Sequence, residues 1–187
     1  MLRRLLLVSL LVLPLAPAAQ ESAPQSTPES TPDPAPDTAM TLDRLDAIIR
    51  ALDPEAQSNG RVWQMTIDTL QVLIVTDEAA DRMRAMTPVR KTEDLSEAEM
   101  QRLLQANFDS ALDARYAIAN EVLWSAFIHP LTPLEKDEFI SGLGQVVNLA
   151  KTYGSLYSSG ALQYGGGDSG ALQRQLIDDL LKKGKEI

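Results

Sequence analysis

Across residues 96–130 the apolar period of the chain changes from about 3.6 to 2, and no other stretch restricts the fold as much. Met100, Leu103, Leu104, Phe108, Ala111 and Leu112 fall on one face at helical spacing, with Gln101, Arg102, Gln105, Asp109 and Asp113 on the other. Ser96 stands three residues before Glu99, the spacing at which each side chain satisfies the other's open backbone N–H, and Leu95 and Met100 flank that box as a hydrophobic staple. Alternation then takes over. Tyr116 and Ile118 alternate with Arg115, Ala117 and Ala119, while Val122, Trp124, Ala126 and Ile128 oppose Leu123, Ser125, Phe127 and His129. Asn120-Glu121 between the two runs supplies a tight hairpin turn, because asparagine tolerates positive φ. Pro130, which has no N–H for a ladder, ends the second strand.

The flanking segments extend this pattern. Thr41 is a candidate N-cap for a short helix striped by Leu42, Leu45, Ile48, Ile49 and Leu52, which stops at Asp53-Pro54. Trp63, Met65 and Ile67 alternate with Val62, Gln64 and Thr66 in a half-buried strand, and Asp68-Thr69 is short enough for a hairpin loop. Residues 70–75, LQVLIV, are almost wholly apolar, as expected of a central strand covered on both faces. Residues 82–89 give a third strand with Met83 and Ala85 inward, Arg82 and Arg84 outward, and Pro88 at an edge or strand end. Thr132-Pro133-Leu134-Glu135 reads as a capping box opening a long helix over 133–153, with Leu134, Phe139, Leu143, Val146, Val147 and Ala150 on one side. Gly142 and Gly144 in that helix permit another element to approach closely. The expected class is α+β: helix, three-stranded antiparallel meander, helix, β-hairpin, long helix, forming one antiparallel sheet with helices packed on it.

Both ends differ in composition from this core. Residues 1–18 have the form of a secretory signal, with Arg3 and Arg4, an apolar run over 5–15 and Ala16-Pro17-Ala18, placing cleavage between Ala18 and Ala19. The apolar run falls short of the roughly 20 residues of a spanning helix, and without cysteine a lipoprotein anchor is excluded. Residues 19–40 are rich in Pro, Ser and Thr and carry little to bury, so a disordered tether is expected there. The domain proper is expected over 41–154. Residues 155–187 form a glycine-rich link and a short amphipathic helix of Leu172, Leu176, Ile177, Leu180 and Leu181, which at that length needs a surface to dock on. The zero cysteine count leaves stability to an apolar core.

The runs DRMRAM at 81–86, ANF at 106–108, ARYAIANEVLW at 114–124 and HPLTPLEKDEF at 129–139, with this order of elements, resemble the YbjN-type family, which shares the fold of type III secretion chaperones. The resemblance covers about residues 41–153. It implies a non-catalytic domain, dimeric, that holds other polypeptides. The secretion chaperones are cytosolic, whereas the signal here implies a periplasmic or secreted protein.

Few residues invite a chemical role. Gly167-Asp168-Ser169-Gly170 spells the segment around a serine-protease nucleophile, but the sole histidine, His129, and the mixed pattern do not supply the rest of a triad. His129 has no companions for a metal site, and Asp77, Glu78 and Asp81 lack EF-hand spacing, so they read as a solvated loop. A net charge of −9 argues against nucleic acid, and Arg82, Arg84, Arg90 and Lys91 read as a solvated basic face. No cofactor is expected. Asn107, within an apolar helical face, is expected to hydrogen-bond backbone where helix gives way to strand.

The expected function is therefore that of an exported polypeptide-binding module, with a structural envelope protein engaging partners through its C-terminal tail as the alternative and a hydrolase as the third class. Met100, Leu103 and Leu104 are the candidate homodimer interface, unless the tail helix folds back as an intramolecular cover. Trp63 and Trp124 pack in the core, or anchor a peptide if exposed. No transmembrane segment is expected after signal removal.

Overall fold

The computed structural model describes residues 39–109, 111–153 and 171–185, all within one compact unit, Pro34–Ile187. The expected signal, its cleavage point at Ala18 and Ala19, residues 19–38 of the expected 19–40 tether, the GDSG segment and the glycine-rich link lie outside the described residues. Met40, at the end of that expected tether, belongs instead to the domain: its side chain is buried in the core and its N–H donates to Thr132 O at 3.0 Å.

A six-stranded antiparallel sheet in the order β1-β2-β3-β4-β6-β5 carries all four helices on one face, the expected α+β class. Its strands are β1 (Gln57–Ser58), β2 (Val62–Ile67), β3 (Leu70–Asp77), β4 (Arg82–Lys91), β5 (Arg115–Ala119) and β6 (Val122–Pro130). The helices are α1 (Leu42–Leu52), α2 (Glu97–Asp109), α3 (Lys136–Lys151) and α4 (Ala171–Gly184), with a 3-10 turn at Thr92–Asp94 before α2. The meander gains a two-residue edge strand, β1, whose polar residues give no periodic signal.

Register and alternation explain the core. Trp63, Ile74, Ala85 and Phe127 lie side by side across four strands, all on the helix-covered face. Asp68, with φ of 56°, turns β2 into β3, while Asn120 and Glu121, both near +50 to +60°, make the β5–β6 turn. The β3 segment is central but not covered on both faces: Val72 and Ile74 are buried, whereas Leu73 and Val75 stand half-buried on the face without a helix. Pro88 sits inside β4, not at an end. Pairing to β3 has already stopped at Leu73↔Met86, and a bulge follows between Pro88 and Arg90, so the missing N–H breaks no ladder on that side.

The caps are partly as the sequence suggests. Thr41 Oγ1 accepts from Arg44 N–H at 3.2 Å at the start of α1. The Ser96–Glu99 box forms, with Ser96 N–H donating to Glu99 Oε2 at 2.9 Å and Glu99 N–H to Ser96 Oγ at 3.3 Å. The long helix starts three residues later than Pro133, through a different box in which Glu135 and Glu138 cap each other. The competing partner of Thr132 is Asp81, whose Oδ1 accepts from both the Thr132 N–H and hydroxyl at 2.7 Å. Asp77 and Glu78 are exposed at the β3–β4 turn as expected, while Asp81 in the same turn is half-buried and committed to Thr132. Its carboxyl is held below the usual carboxylate range, first by the Thr132 backbone donor and then by the hydroxyl.

Both glycines of α3 are contact points. A Cβ on Gly142 would meet the Phe127 ring at 2.6 Å, and one on Gly144 would meet Ile177 of α4 at 2.6 Å. The tail helix therefore does find a surface: α4 lies against α3 and α1, buries Ile177 and Leu180, and is tied by Lys136 Nζ to Gly184 O at 2.9 Å. This cover falls on α3 and α1.

Candidate functional site

α2 presents its apolar residues to two sides rather than one. Leu103 and Ala106 are buried, whereas Met100, Leu104 and Phe108 are 38%, 70% and 69% exposed. The sequence puts all of them on one face, with Met100, Leu103 and Leu104 as a candidate interface. That face is split because α2 rests on β5, the last strand of the sheet, so only part of it meets the core. Of the candidate interface residues, Met100 and Leu104 are therefore at the surface and Leu103 is not: at 3% exposure it belongs to the core.

The helix is pinned at both ends. Near its start, Arg90 of β4 lies 3.5 Å from Glu99 Oε1 and donates to Tyr153 Oη at 3.1 Å, and Tyr153 Oη donates in turn to Glu99 Oε1 at 3.4 Å. Hydrogen bonding to Tyr153 raises the Arg90 pKa, and the Ser96 backbone N–H leads the causes that lower that of Glu99. Near its end, Asn107 Nδ2 donates to Tyr116 O at 3.0 Å and Asn107 Oδ1 accepts from Tyr116 N–H at 2.7 Å. The expected backbone role of Asn107 is realised as a two-bond clasp on β5.

Between these pins, α2 and β5 leave a groove of about 310 Å³ lined by Met100, Leu103, Leu104, Asn107, Tyr116, Ala117, Ile118 and Leu123. Ile118, 53% exposed on the edge strand, faces Met100 and Leu104 across it. Apart from Asn107 the lining side chains are apolar or aromatic. The groove can accept a hydrocarbon side chain; the ionisable group in its lining, the Tyr116 hydroxyl, donates to Leu149 O at 2.7 Å.

A second, polar cleft of about 540 Å³ opens where β6, β5 and α3 meet, with Asp113, Arg115, His129, Asp137, Glu138 and Ser141 on its walls. Several of its groups are committed to structure. His129 stacks on Phe127 with Nδ1 2.8 Å from Pro130 O, and Gln145 Oε1 accepts from the Asp113 and Ala114 N–H groups at 2.8 and 3.0 Å. Gln145 Nε2 donates to Asp113 Oδ2 at 3.2 Å and to Ser141 Oγ at 3.3 Å. Among the described residues no group of three or more His, Cys, Asp or Glu side chains is placed to hold a metal ion. No helix among them is long and apolar enough to cross a membrane.

The tryptophans part company. Trp63 is 1% exposed and donates from Nε1 to Asp46 Oδ1 at 2.7 Å, so it cannot anchor a surface peptide; its place on the inner register line buries it. Trp124 is half-buried on the helix-free sheet face, with Nε1 donating to Ala119 O at 3.0 Å. Around it lie Met86, Leu73 and the exposed Ile128, bordered by Arg82, Arg84 and Arg115, while Arg90 and Lys91 of the expected basic patch are engaged with acidic neighbours.

No family model matches the chain, and no curated protein does. Among solved structures it is similar to a chain of the HopA1–SchA chaperone–effector complex, at 11% identity and a TM-score of 0.46, covering 58% of this chain and 91% of that one.

Proposed function

We propose that the protein is a non-catalytic, chaperone-like module that holds another polypeptide in the groove between α2 and β5. The observation that supports this reading is the exposure of Met100, Leu104 and Ile118 around one apolar groove whose floor, Leu103 and Leu123, is core. Scattered apolar surface residues need no explanation, but a contiguous set around a concavity marks an interaction site. Export by the 1–18 signal, with cleavage between Ala18 and Ala19 and action in the periplasm or outside the cell, belongs to the same proposal and rests on the Arg3–Arg4 start and the A-x-A site. The tail-mediated alternative loses ground, because Ile177 and Leu180 of α4 are spent on the protein's own core.

A second reading, a two-fold homodimer, is favoured by one specific feature. Leu104 and Phe108 follow one another on the solvent side of α2 a turn apart, and Phe108 lies outside the groove. The test uses a permanently unfolded, reduced and carboxymethylated protein as probe. Leu104→Glu and Ile118→Glu should each weaken its binding by about tenfold or more, while Phe108→Glu should leave binding intact and abolish any dimer seen in sedimentation. Equal binding by all four proteins would overturn the groove as the site.

A further inference from the structure

A sheet that ends in an open strand offers a row of unpaired backbone groups, and β5 is such an end. In an antiparallel ladder alternate residues direct both backbone groups at their partner, and the residues between direct both away. Asn107 identifies which residues of β5 point outward. Its amide exchanges two hydrogen bonds with the N–H and C=O of Tyr116, so Tyr116 turns away from β6, and Ile118, two residues on, does the same. A carboxamide has the donor and acceptor of a peptide unit. At Tyr116 the side chain of Asn107 therefore stands where the backbone of a neighbouring strand would lie. No strand pairs with this edge among the described residues, and the Ile118 side chain faces the groove, half in solvent.

We propose that Asn107 fixes the register and the length of the polypeptide this site takes. Its amide fills the strand-addition position at Tyr116, and an incoming extended segment is confined to the single position at Ile118. The inference rests on the groove being a polypeptide site and adds what kind of segment enters it. Residues paired across an antiparallel ladder share a face, so the residue opposite Ile118 sends its side chain toward Met100 and Leu104. That residue is aliphatic. Beyond Ile118 the hairpin tip is acidic. Glu93 and Glu121 line a neighbouring cleft with Lys91, which is bonded to Glu93 at 3.2 Å, and Glu97 lies one helical turn before Met100. A lysine or arginine beside the aliphatic residue complements that rim. The occupant is an extended segment with one aliphatic residue flanked by basic ones. An asparagine in the last turn of a helix, otherwise a weak helix former, thereby gains a reason for its position.

The probe is a synthetic seven-residue peptide with a central leucine in a lysine–serine background, with three N-methylated versions: at the leucine, and two residues to either side. N-methylation removes one N–H donor and leaves the side chain in place. With the natural protein, methylation at the leucine should cut binding by about tenfold, and methylation at either outer position should change it less than about twofold. With Asn107→Ala, one outer position should become sensitive as the segment extends onto Tyr116. Asn107→Asp, which keeps the acceptor for the Tyr116 N–H, should be intermediate. Amide exchange provides a reading without ligand: the Tyr116 N–H is protected in the natural protein and exchanges as fast as that of Ile118 in Asn107→Ala. Sensitivity at an outer position in the natural protein, or an unchanged pattern in Asn107→Ala, would overturn the role of Asn107 while leaving the groove reading in place. Peptide binding equally weak in the natural protein and in Leu104→Glu would overturn the groove reading and this one with it. A dimer that excludes the peptide would assign the edge to a second copy and overturn the peptide.

Discussion

Gly142→Ala puts the packing of the core to a quantitative test. An added methyl would stand 2.6, 2.7 and 2.8 Å from three atoms of the Phe127 ring, where ordinary contact begins at 3.4 Å. The ring is only 5% exposed and stacked against His129 at 5.8 Å between centroids, so it has no free side to swing into. Replacing glycine inside a helix gains about 1 kcal/mol from propensity. Forcing a methyl into a packed aromatic contact costs about 1–3 kcal/mol, and a rigid ring met by three atoms lies at the upper end. The net loss is about 2 kcal/mol, or about 6–10 °C in Tm for a domain of this size. Calorimetry and urea denaturation would measure it, with an unchanged m-value confirming the same transition. In a Phe127→Leu background the clash is relieved, and Gly142→Ala should cost less than about 1 kcal/mol, a coupling that a double-mutant cycle isolates. A higher Tm for Gly142→Ala alone, or an identical cost in both backgrounds, would refute the close-packing argument.

The remaining expectations concern other regions. The Asp81 carboxyl has a folded pKa below its unfolded value, so its contribution is present above about pH 4 and is lost as pH falls through the folded value; Asp81→Asn should flatten the acid limb of a Tm–pH profile. Leu104→Ser should change stability by less than about 0.5 kcal/mol in urea titrations, whereas Leu103→Ser, at a buried position, should cost about 2–4 kcal/mol; equal effects would contradict the orientation of α2. Mass spectrometry of the exported protein should show a new N-terminus at Ala19 or within the next two residues, and an intact Met1 would end the export proposal.

Where one face of an element is buried and the other wet, the chain announces its structure. The alternation of Trp63, Met65 and Ile67, the turn at Asn120-Glu121 and the box at Ser96 are all legible, because each is decided within a few residues. Legibility fails where a distant partner decides. Thr132 looks like a cap until Asp81, 51 residues away, takes its hydroxyl, and the helix then opens at Glu135. The exposed row of α2 is misleading for a similar reason: a stripe of Met100, Leu103, Leu104 and Phe108 does not record that the sheet ends beneath it. Asn107 is the exception. A polar residue set into an apolar face raises the question of its partner, and the expected backbone contact is there, although its two-bond form on an edge strand could come only from the geometry.

The corner that Asp81 organises also decides how the domain would answer a pull. Any tension in the chain ahead of residue 39 enters at Met40, whose N–H donates to Thr132 O at 3.0 Å. Thr132 is in turn held through its N–H and hydroxyl by Asp81, and Leu131 N–H donates to Asp81 O at 3.2 Å. Force therefore passes from the first described residues into the β3–β4 turn and the end of β6 before it reaches α1. The link from Met40 to this corner is one hydrogen bond, so it opens first, while the three bonds behind it, from Thr132 and Leu131 to Asp81, keep the end of β6 on the β3–β4 turn. A copy pulled from its N-terminus should therefore give up the Met40–Thr132 contact first and pass the load to α1, with the Asp81 corner and the groove beside α2 left in place.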